Sequence, residues 1–384
     1  MVEPDFPASE FEQRLESAQR EMRAQDLQAL LFTTEPEVRY FSGFRTQFWQ
    51  SPTRPWFLVV PARGKPVAVI PAIGADLMGR TWLDDIRVFT SPHERDDGIS
   101  VLTGVLDGYA RIGMPMGRET SLRMPLADFD RLRASLPGSE FTDATGLIQG
   151  LRMVKSGAEI GVISDICAIA SNAFQKANDL FYAGQALTEA FRAFKIELLA
   201  QGADDVPYLV GGAGSGGYSD VISPPTDQCL QAGDILMLDT GANLTGYFCD
   251  FDRNFAIGHA SDEVRTAYRT LIAATDAAAD RARPGATCAA LFQTMALCVG
   301  GGSDVGRYGH GLGMQLTEAP SIISFDQTVL QEGMVLTLEP SIALSNGKML
   351  VHEENIVIRD GPPDFLTRRA SPDLPVLDRA RTGV

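Results

Sequence analysis

Four apolar, strand-like runs in this chain carry acidic side chains at positions where burial makes a carboxylate costly. They are "DILMLDTGA" with Asp239, "GYFCDFDRN" with Asp250 and Asp252, "GMVLTLEPSI" with Glu339, and "MLVHEENIVIRDG" with Glu354. A carboxylate in such a run needs a positive or hydrogen-bonding partner. Asp239 and Asp250 lie on either side of "GANLTG", a turn-forming stretch between two apolar-rich runs, which is a hairpin signal. Antiparallel pairing brings the two together, and on a strand Asp252 faces the same side as Asp250. Three carboxylates on one face repel one another unless something positive lies between them. A divalent cation, or a pair, is the simplest remedy.

The stretch "RYGHGLGMQLTEAP" (307–320) adds His310, one of only four histidines. Its glycines let the backbone approach a crowded site. Carboxylates with one imidazole suit Mn, Fe, Co or Zn, often as a pair of ions about 3.5–4 Å apart. Taken singly, each acid also reads as an exposed edge residue and His310 as a core histidine. Asp252 keeps two readings, an additional ligand or a partner for Arg253.

A chain of 384 residues suggests two domains. The first part alternates helix and strand signals: a helical period over 9–25, a short apolar strand at "LQALLFT", and two strands joined by a turn in "PWFLVVPARGKPVAVIP". This predicts an α/β domain over 1–147. From 148 to 384 the pattern is α+β: helices over 157–182, 188–201, 262–282 and 286–298, with strands grouped after them. "GGAGSGG" lacks the spacings of phosphate-binding loops and reads as a flexible loop.

The net charge of −16 argues against nucleic acid and anionic membranes as partners and suits a site that attracts cations. No apolar run is read as membrane-spanning, and the acidic N-terminus does not resemble a signal peptide. Five cysteines without a CxxC spacing point to buried thiols, no disulfide framework and a cytoplasmic location.

The order Asp239, Asp250, "GHGLG", "GMVLTLEP" and a glutamate fifteen residues later resembles the dinuclear metal site of the pita-bread superfamily, which includes methionine aminopeptidase, prolidase, aminopeptidase P and creatinase. "LRMVKSGAEI" is similar to the segment opening the catalytic domain of prolidase-like members, and "VRYFSGF" to a strand and turn of their N-terminal domain. The resemblance implies a creatinase-like α/β N-terminal domain and a pita-bread catalytic domain. It implies two divalent ions held by Asp239, Asp250, His310, Glu339 and Glu354, with Glu354 chosen over its neighbour Glu353 on alignment with the apolar run that follows. Glu339 or Glu354 would take the proton in hydrolysis through a metal-bridging hydroxide. The implied substrate is a dipeptide or similar small amide, and the implied assembly a homodimer.

The sequence departs from the family where its peptidases carry two further histidines. Thr317 stands at one position. The other falls in the loop "GSGGYSDVISPPTD", where Tyr218 and Asp220 are the nearest polar candidates. His352 shares a strand face with Glu354. In prolidase-like dimers the region matching 41–56 reaches the partner's site. Here it offers Arg45 and Arg54 to clamp a carboxylate, and Trp49 and Trp56 to stack on a cationic group. These departures keep open a lyase of the dimethylsulfoniopropionate type, a non-peptide C–N hydrolase, or an inactive binding protein on the same fold.

Overall fold

Residues 5–51, 53–301 and 306–378 are described in this computed structural model. The chain divides into two compact units, Met1–Arg152 and Met153–Val384. The boundary falls slightly beyond residue 147 because the helix Thr145–Met153 carries the chain across that point.

In the first unit, short apolar runs give six strands: β1 (Ala29–Phe32), β2 (Phe57–Pro61), β3 (Val67–Pro71), β4 (Asp85–Phe89), β5 (Arg111–Met114) and β6 (Glu140–Asp143). They form one mixed sheet in the order β4-β3-β2-β1-β5-β6. The turn-linked pair expected at 55–71 is the antiparallel pair β2–β3, with Phe57 opposite Val69. Leu31, Val59, Val69 and Ile112 pack against Leu102, Phe129 and Leu132 of the helices Ile99–Leu106 and Leu126–Ser135. Each such side chain contributes about 1.5–3 kcal/mol on burial.

The tryptophans expected to stack on a substrate belong to this unit's interior. Trp56 is 2% exposed, its ring 5.1 Å from Phe44 and 5.9 Å from Trp49. A Cβ at Gly74 would lie 2.3 Å from Trp56, so the chain closes tightly over that ring. Trp49 is also buried, with the Arg123 guanidinium 5.2 Å from its ring centre. Arg45 pairs with Asp5 at 3.4 Å, and Arg54 lies over the Phe48 ring. The physical reason is ordinary: large aromatic rings in an apolar stretch gain more from burial than from waiting at a surface.

The second unit opens with the helix Gly157–Phe174. Its start is fixed by a capping box, in which Ser156 accepts from the Glu159 N–H and Glu159 accepts from the Ser156 N–H. By length and composition alone this helix could cross a membrane, with a mean hydropathy of 1.2 over 18 residues. Half of it is buried within the protein, and Glu159 accepts a hydrogen bond from the buried Tyr247 hydroxyl at 2.9 Å. It packs as a core helix.

The strands of this unit are β7 (Asp205–Ser215), β8 (Asp234–Leu244), β9 (Tyr247–Phe248), β10 (Phe251–Ile257), β11 (His310–Gly311), β12 (Glu318–Ser321), β13 (Val335–Leu338), β14 (Ser341–Ala343), β15 (Met349–Val351), β16 (Glu354–Val357), β17 (Asp364–Phe365) and β18 (Val376–Leu377). One sheet runs β18-β10-β8-β7, with β9 paired to β8. A second runs β12-β11-β13-β16-β17, and β14–β15 is a separate pair. The helices Asp262–Arg281 and Cys288–Val299 cover them. Val264, Tyr268 and Leu271 pack on Ile235 and Met237 of β8. Leu291 and Met295 pack with Leu336 and Leu338 of β13 and Ile356 of β16. All five cysteines are free; Cys229 and Cys298 are exposed, and only Cys167, Cys249 and Cys288 are buried.

"GGAGS" is strand, not loop. It ends β7, with Gly212 opposite Met237 and Gly214 opposite Ile235. Its glycines are there for close approach. At Gly211, with φ +147°, a Cβ would lie 2.1 Å from the Met237 carbonyl oxygen. Gly211→Ala therefore combines backbone strain with a clash against rigid main chain. It is expected to destabilise the protein by more than about 1 kcal/mol, read as a lower urea midpoint with unchanged slope. An unchanged midpoint would contradict this account of the stretch.

Candidate functional site

Two hairpins of the second unit aim acids at one place. In the β8–β10 ladder Asp239 lies directly opposite Asp252, and Asp250 sits just before β10. In the β13–β16 ladder Leu338 pairs with Glu354. One step further along the same register come Glu339 and Glu353. β11 delivers His310 beside β13. That approach requires the flanking glycines: a Cβ would lie 2.2 Å from the Thr337 oxygen at Gly309 and 2.3 Å from the Ala319 oxygen at Gly311.

Asp250, His310 and Glu353 converge so that one ligand atom from each lies within 4.8 Å of the other two, and all three residues are buried. His310 Nε2 is 3.4 Å from Asp250 Oδ2. Its Nδ1 lies 2.9 Å from the Gly311 carbonyl oxygen. With the proton on Nδ1, donated to that carbonyl, the Nε2 lone pair is left to face the acids, the arrangement an imidazole ligand needs. Burial lowers the His310 pKa to about 4, so the ring is neutral.

The carboxylates are strained electrostatically. Burial raises Asp239 to about 7, partly offset by a hydrogen bond from Tyr208. Burial and the nearby Asp239 raise Glu339 to about 8, with Arg307 opposing. Burial pushes Asp250 and Glu353 well above the usual carboxylate range, and the surrounding acids push them further. Asp239 Oδ1 and Glu353 Oε1 are buried without a hydrogen-bond partner. Orphaned anionic oxygens converging beside a neutral imidazole fit a divalent cation.

Glu354 is not part of this group, which corrects the choice made from sequence. Burial alone would raise its pKa, but Arg253, His352 and Thr367 outweigh it and bring the value to about 2. Its Oε2 accepts from Arg253 Nη2 at 2.8 Å, and its Oε1 from the Ala370 N–H at 2.8 Å. Cross-strand partners share a face, so Glu354 lies on the side of Leu338, Leu336 and Ile356, away from the cluster. Its charge is already balanced inside the protein; that of Glu353 is not.

Other candidates fall elsewhere. Tyr218 is buried, its hydroxyl donating to Asn254 Oδ1 at 3.0 Å and accepting from the Val351 N–H at 2.7 Å. It holds the strands together and has no free hydrogen for a substrate. Asp220 caps its own loop through the Ile222 and Ser223 N–H groups. Thr317 is half-buried immediately before β12. Its neighbour Glu318 forms a buried ion pair with Lys155 at 3.2 Å. Asp252 is fully buried, and its Oδ1 accepts from the Glu353 N–H at 2.8 Å. His352 lies between Glu354 at 3.5 Å and Asp252 at 3.7 Å. His93 and His259 are exposed. Arg45, Trp49, Arg54 and Trp56 belong to the first unit, as described above.

Two neighbours of the cluster were missed. Tyr208 lies two residues along β7 from Val210, the partner of Asp239, and so on the same face. Its segment was not recognised as strand, which hid the alternation. Arg307 is the cation that acts on Asp250, Glu339 and His310 alike. It stands in the quoted histidine stretch, but nothing in its spacing marked it.

Comparison with known proteins finds matching family models, relatives and solved structures. The model of the metallopeptidase family M24 matches residues 161–360, and that of the creatinase/prolidase N-terminal domain matches 14–154. The chain is 27% identical over 360 residues to a probable dipeptidase PepE of Mycobacterium bovis, covering 92% of this chain and 93% of the relative. It is 25% identical to an Xaa-Pro dipeptidase of Pyrococcus horikoshii, covering 88% and 93%. The crystal structure of dipeptidase PepE from Mycobacterium ulcerans superposes with a TM-score of 0.84 at 25% identity, covering 97% of this chain and all of that one. A prolidase from Thermococcus sibiricus superposes at 0.85 with 20% identity, covering 96% and 99%.

The raised carboxylates make a pH prediction. Between pH about 4, where unfolded carboxylates ionise, and about 8, the folded metal-free protein holds protons on Asp239 and Glu339 that the unfolded chain has released. The folded state binds more protons, so stability falls as pH rises through this window. Chelator-treated protein should melt at a lower temperature at pH 8 than at pH 5, and added Mn²⁺ should reverse the loss. A metal-free melting temperature that rises over this interval would oppose the assignment.

Proposed function

This chain belongs to metallopeptidase family M24, and we propose that it is a divalent-metal-dependent dipeptidase with a preference for Xaa-Pro or similar dipeptide amides. The observation that carries the reading is the convergence of Asp250, His310 and Glu353 in a buried, acid-rich setting with orphaned oxygens. Asp239, Asp250, His310, Glu339 and Glu353 are the proposed ligands, enough for two ions of Mn, Fe, Co or Zn. The relatives named as dipeptidases over nearly the whole chain support the substrate class. They do not favour the lyase, the C–N hydrolase or the binding-only alternative. We also propose a cytoplasmic homodimer.

Divalent ions in such a site polarise the scissile carbonyl and acidify water. The residues supply the rest. Glu339, as one of the carboxylates that would hold the ions, would also be placed to take a proton from the attacking water and return it to the leaving amine. His310 stays neutral and oriented through its Nδ1 bond to Gly311. Tyr208 steadies Asp239. Arg307 adds positive charge beside Glu339 and Asp250. Without the family's two additional histidines, proton transfer rests on these carboxylates.

Proline release from Xaa-Pro dipeptides, compared with non-proline dipeptides, tests the proposal with Mn²⁺-loaded and chelated protein. Metal-dependent turnover on the order of 1 s⁻¹ or faster is expected. No release from any dipeptide despite tightly bound metal would reject it. Glu353→Gln should lower kcat/KM by more than the roughly 10- to 100-fold typical of a group that only supports a ligand. Glu354→Gln should fall within that range.

A further inference from the structure

Adjacent glutamates leave a strand with a choice. Glu353 and Glu354 point to opposite sides, and a slip of one residue would exchange them. Both can ligate a metal, so neither their chemistry nor the apolar run after them decides which one faces the cluster.

The decision is made across the sheets, by strand β10. Its consecutive residues Asp252, Arg253 and Asn254 grip the segment 351–354, which joins β15 to β16. Asn254 Nδ2 donates to the Val351 carbonyl at 2.7 Å. Asp252 Oδ1 accepts from the Glu353 N–H at 2.8 Å. Arg253 Nη1 donates to the Glu353 carbonyl at 2.8 Å, and Nη2 donates to the Glu354 carboxylate at 2.8 Å. The same guanidinium also donates to the carbonyls of Asp252 and Arg368, each at 2.6 Å. Asp252 shares a face with Asp239, and Arg253 points to the opposite one. Acid and base thus alternate on β10 in phase with the two glutamates. On the Arg253 side a glutamate finds a cation; on the Asp252 side it finds another anion and the cluster.

We propose that Asp252 and Arg253 form a register clamp that turns the Glu353 carboxylate toward the metal cluster and holds Glu354 away from it, making both positioning residues for the ligand Glu353. This rests on the metal-site reading above. A slipped register would place Glu353 against Arg253 and leave Asp252 without the N–H it now accepts from. It would also move Val351 away from Asn254. Every member of the clamp is buried, Asp252 at 1% exposure and Arg253 at 8%, so water does not replace the lost bonds.

Cobalt provides the test, because its visible absorption reports its ligands independently of turnover. Co²⁺ affinity and spectrum are measured for the full-length protein and for Asp252→Leu, Asp252→Asn and His310→Ala. Asp252→Leu removes the acceptor. Leu is bulkier than Asp and leaves the Glu353 N–H without its acceptor, so the unfolding midpoint without metal establishes whether the variant is folded. The expected result is a 10- to 100-fold weaker Co²⁺ affinity (the range for groups that support a ligand) and a shifted absorption band. Asp252→Asn keeps an oxygen for the Glu353 N–H and should recover most of the affinity and the wild-type band.

Wild-type affinity and spectrum in Asp252→Leu would overturn the clamp. So would equal losses in the Asn and Leu variants, because charge and not the hydrogen bond would then be acting. Should Asp252→Leu fail to fold, the Asn variant alone decides, a shifted band in folded protein counting against the clamp. Unchanged Co²⁺ binding in His310→Ala would instead overturn the metal-site reading, and the clamp with it.

Discussion

Carboxylates that repel one another in a water-poor setting are the constraint around which the second unit is arranged. Asp239, Asp250, Glu339 and Glu353 all have pKa values raised by burial, and the protein supplies them with little compensating charge. Several other buried ions are paired. Lys155 meets Glu318, Arg253 meets Glu354, and in the first unit Arg152 meets Glu37 and Arg39 meets Asp5. Removing one partner of such a pair typically costs about 3–5 kcal/mol, because the other is left buried and alone. The fold tolerates that situation at the cluster, which marks the cluster as a place for a cation.

The cluster also explains the backbone around it. Strands must approach closely enough for an imidazole and several short acids to share a few ångströms. Gly309 and Gly311 permit this at β11, where side chains would strike the main chains of Thr337 and Ala319. Gly211 permits it where β7 crosses Met237, on the sheet that presents Tyr208 and Asp239. Asn355 ties the arrangement together: its side-chain oxygen accepts from the Asp250 N–H at 3.0 Å, and its amide donates to the Asp250 carbonyl. The two sheets thereby place acids from separate hairpins at one point. Family M24 membership and a metal-dependent hydrolytic function are consistent with that construction.

Charge placement separates this site from a simple acidic pocket. Its histidine is neutral, its nearest recurring cation is Arg307, and the usual pair of further histidines is replaced by Thr317 and a loop without imidazole. His352 does not fill the gap. It is buried beside Asp252 and Glu354, and burial lowers its pKa. In the proposed hydrolysis, proton movement would fall to the carboxyl groups of the cluster.

Much of this was legible in the sequence. Helix and strand periods located the α/β unit, the β2–β3 pair and the β8–β10 hairpin, because local alternation and turn residues act within a few positions. Acids in apolar runs and a glycine-flanked histidine marked Asp239, Asp250, His310 and Glu339 as a group, because burying a carboxylate is costly wherever it occurs. What local pattern did not reveal was contact between distant segments. It read a glycine-rich strand as a loop, since Gly211 is set by the main chain of Met237, more than twenty residues away. It left Trp49 and Trp56 available to a substrate when neighbouring rings enclose them. It also took Glu354 for Glu353. The sequence determined that a glutamate from "HEEN" faces the acids, since both candidates are glutamates. Which one does so was decided by the tertiary structure, because the cation that satisfies Glu354 stands on another strand, about a hundred residues earlier in the chain.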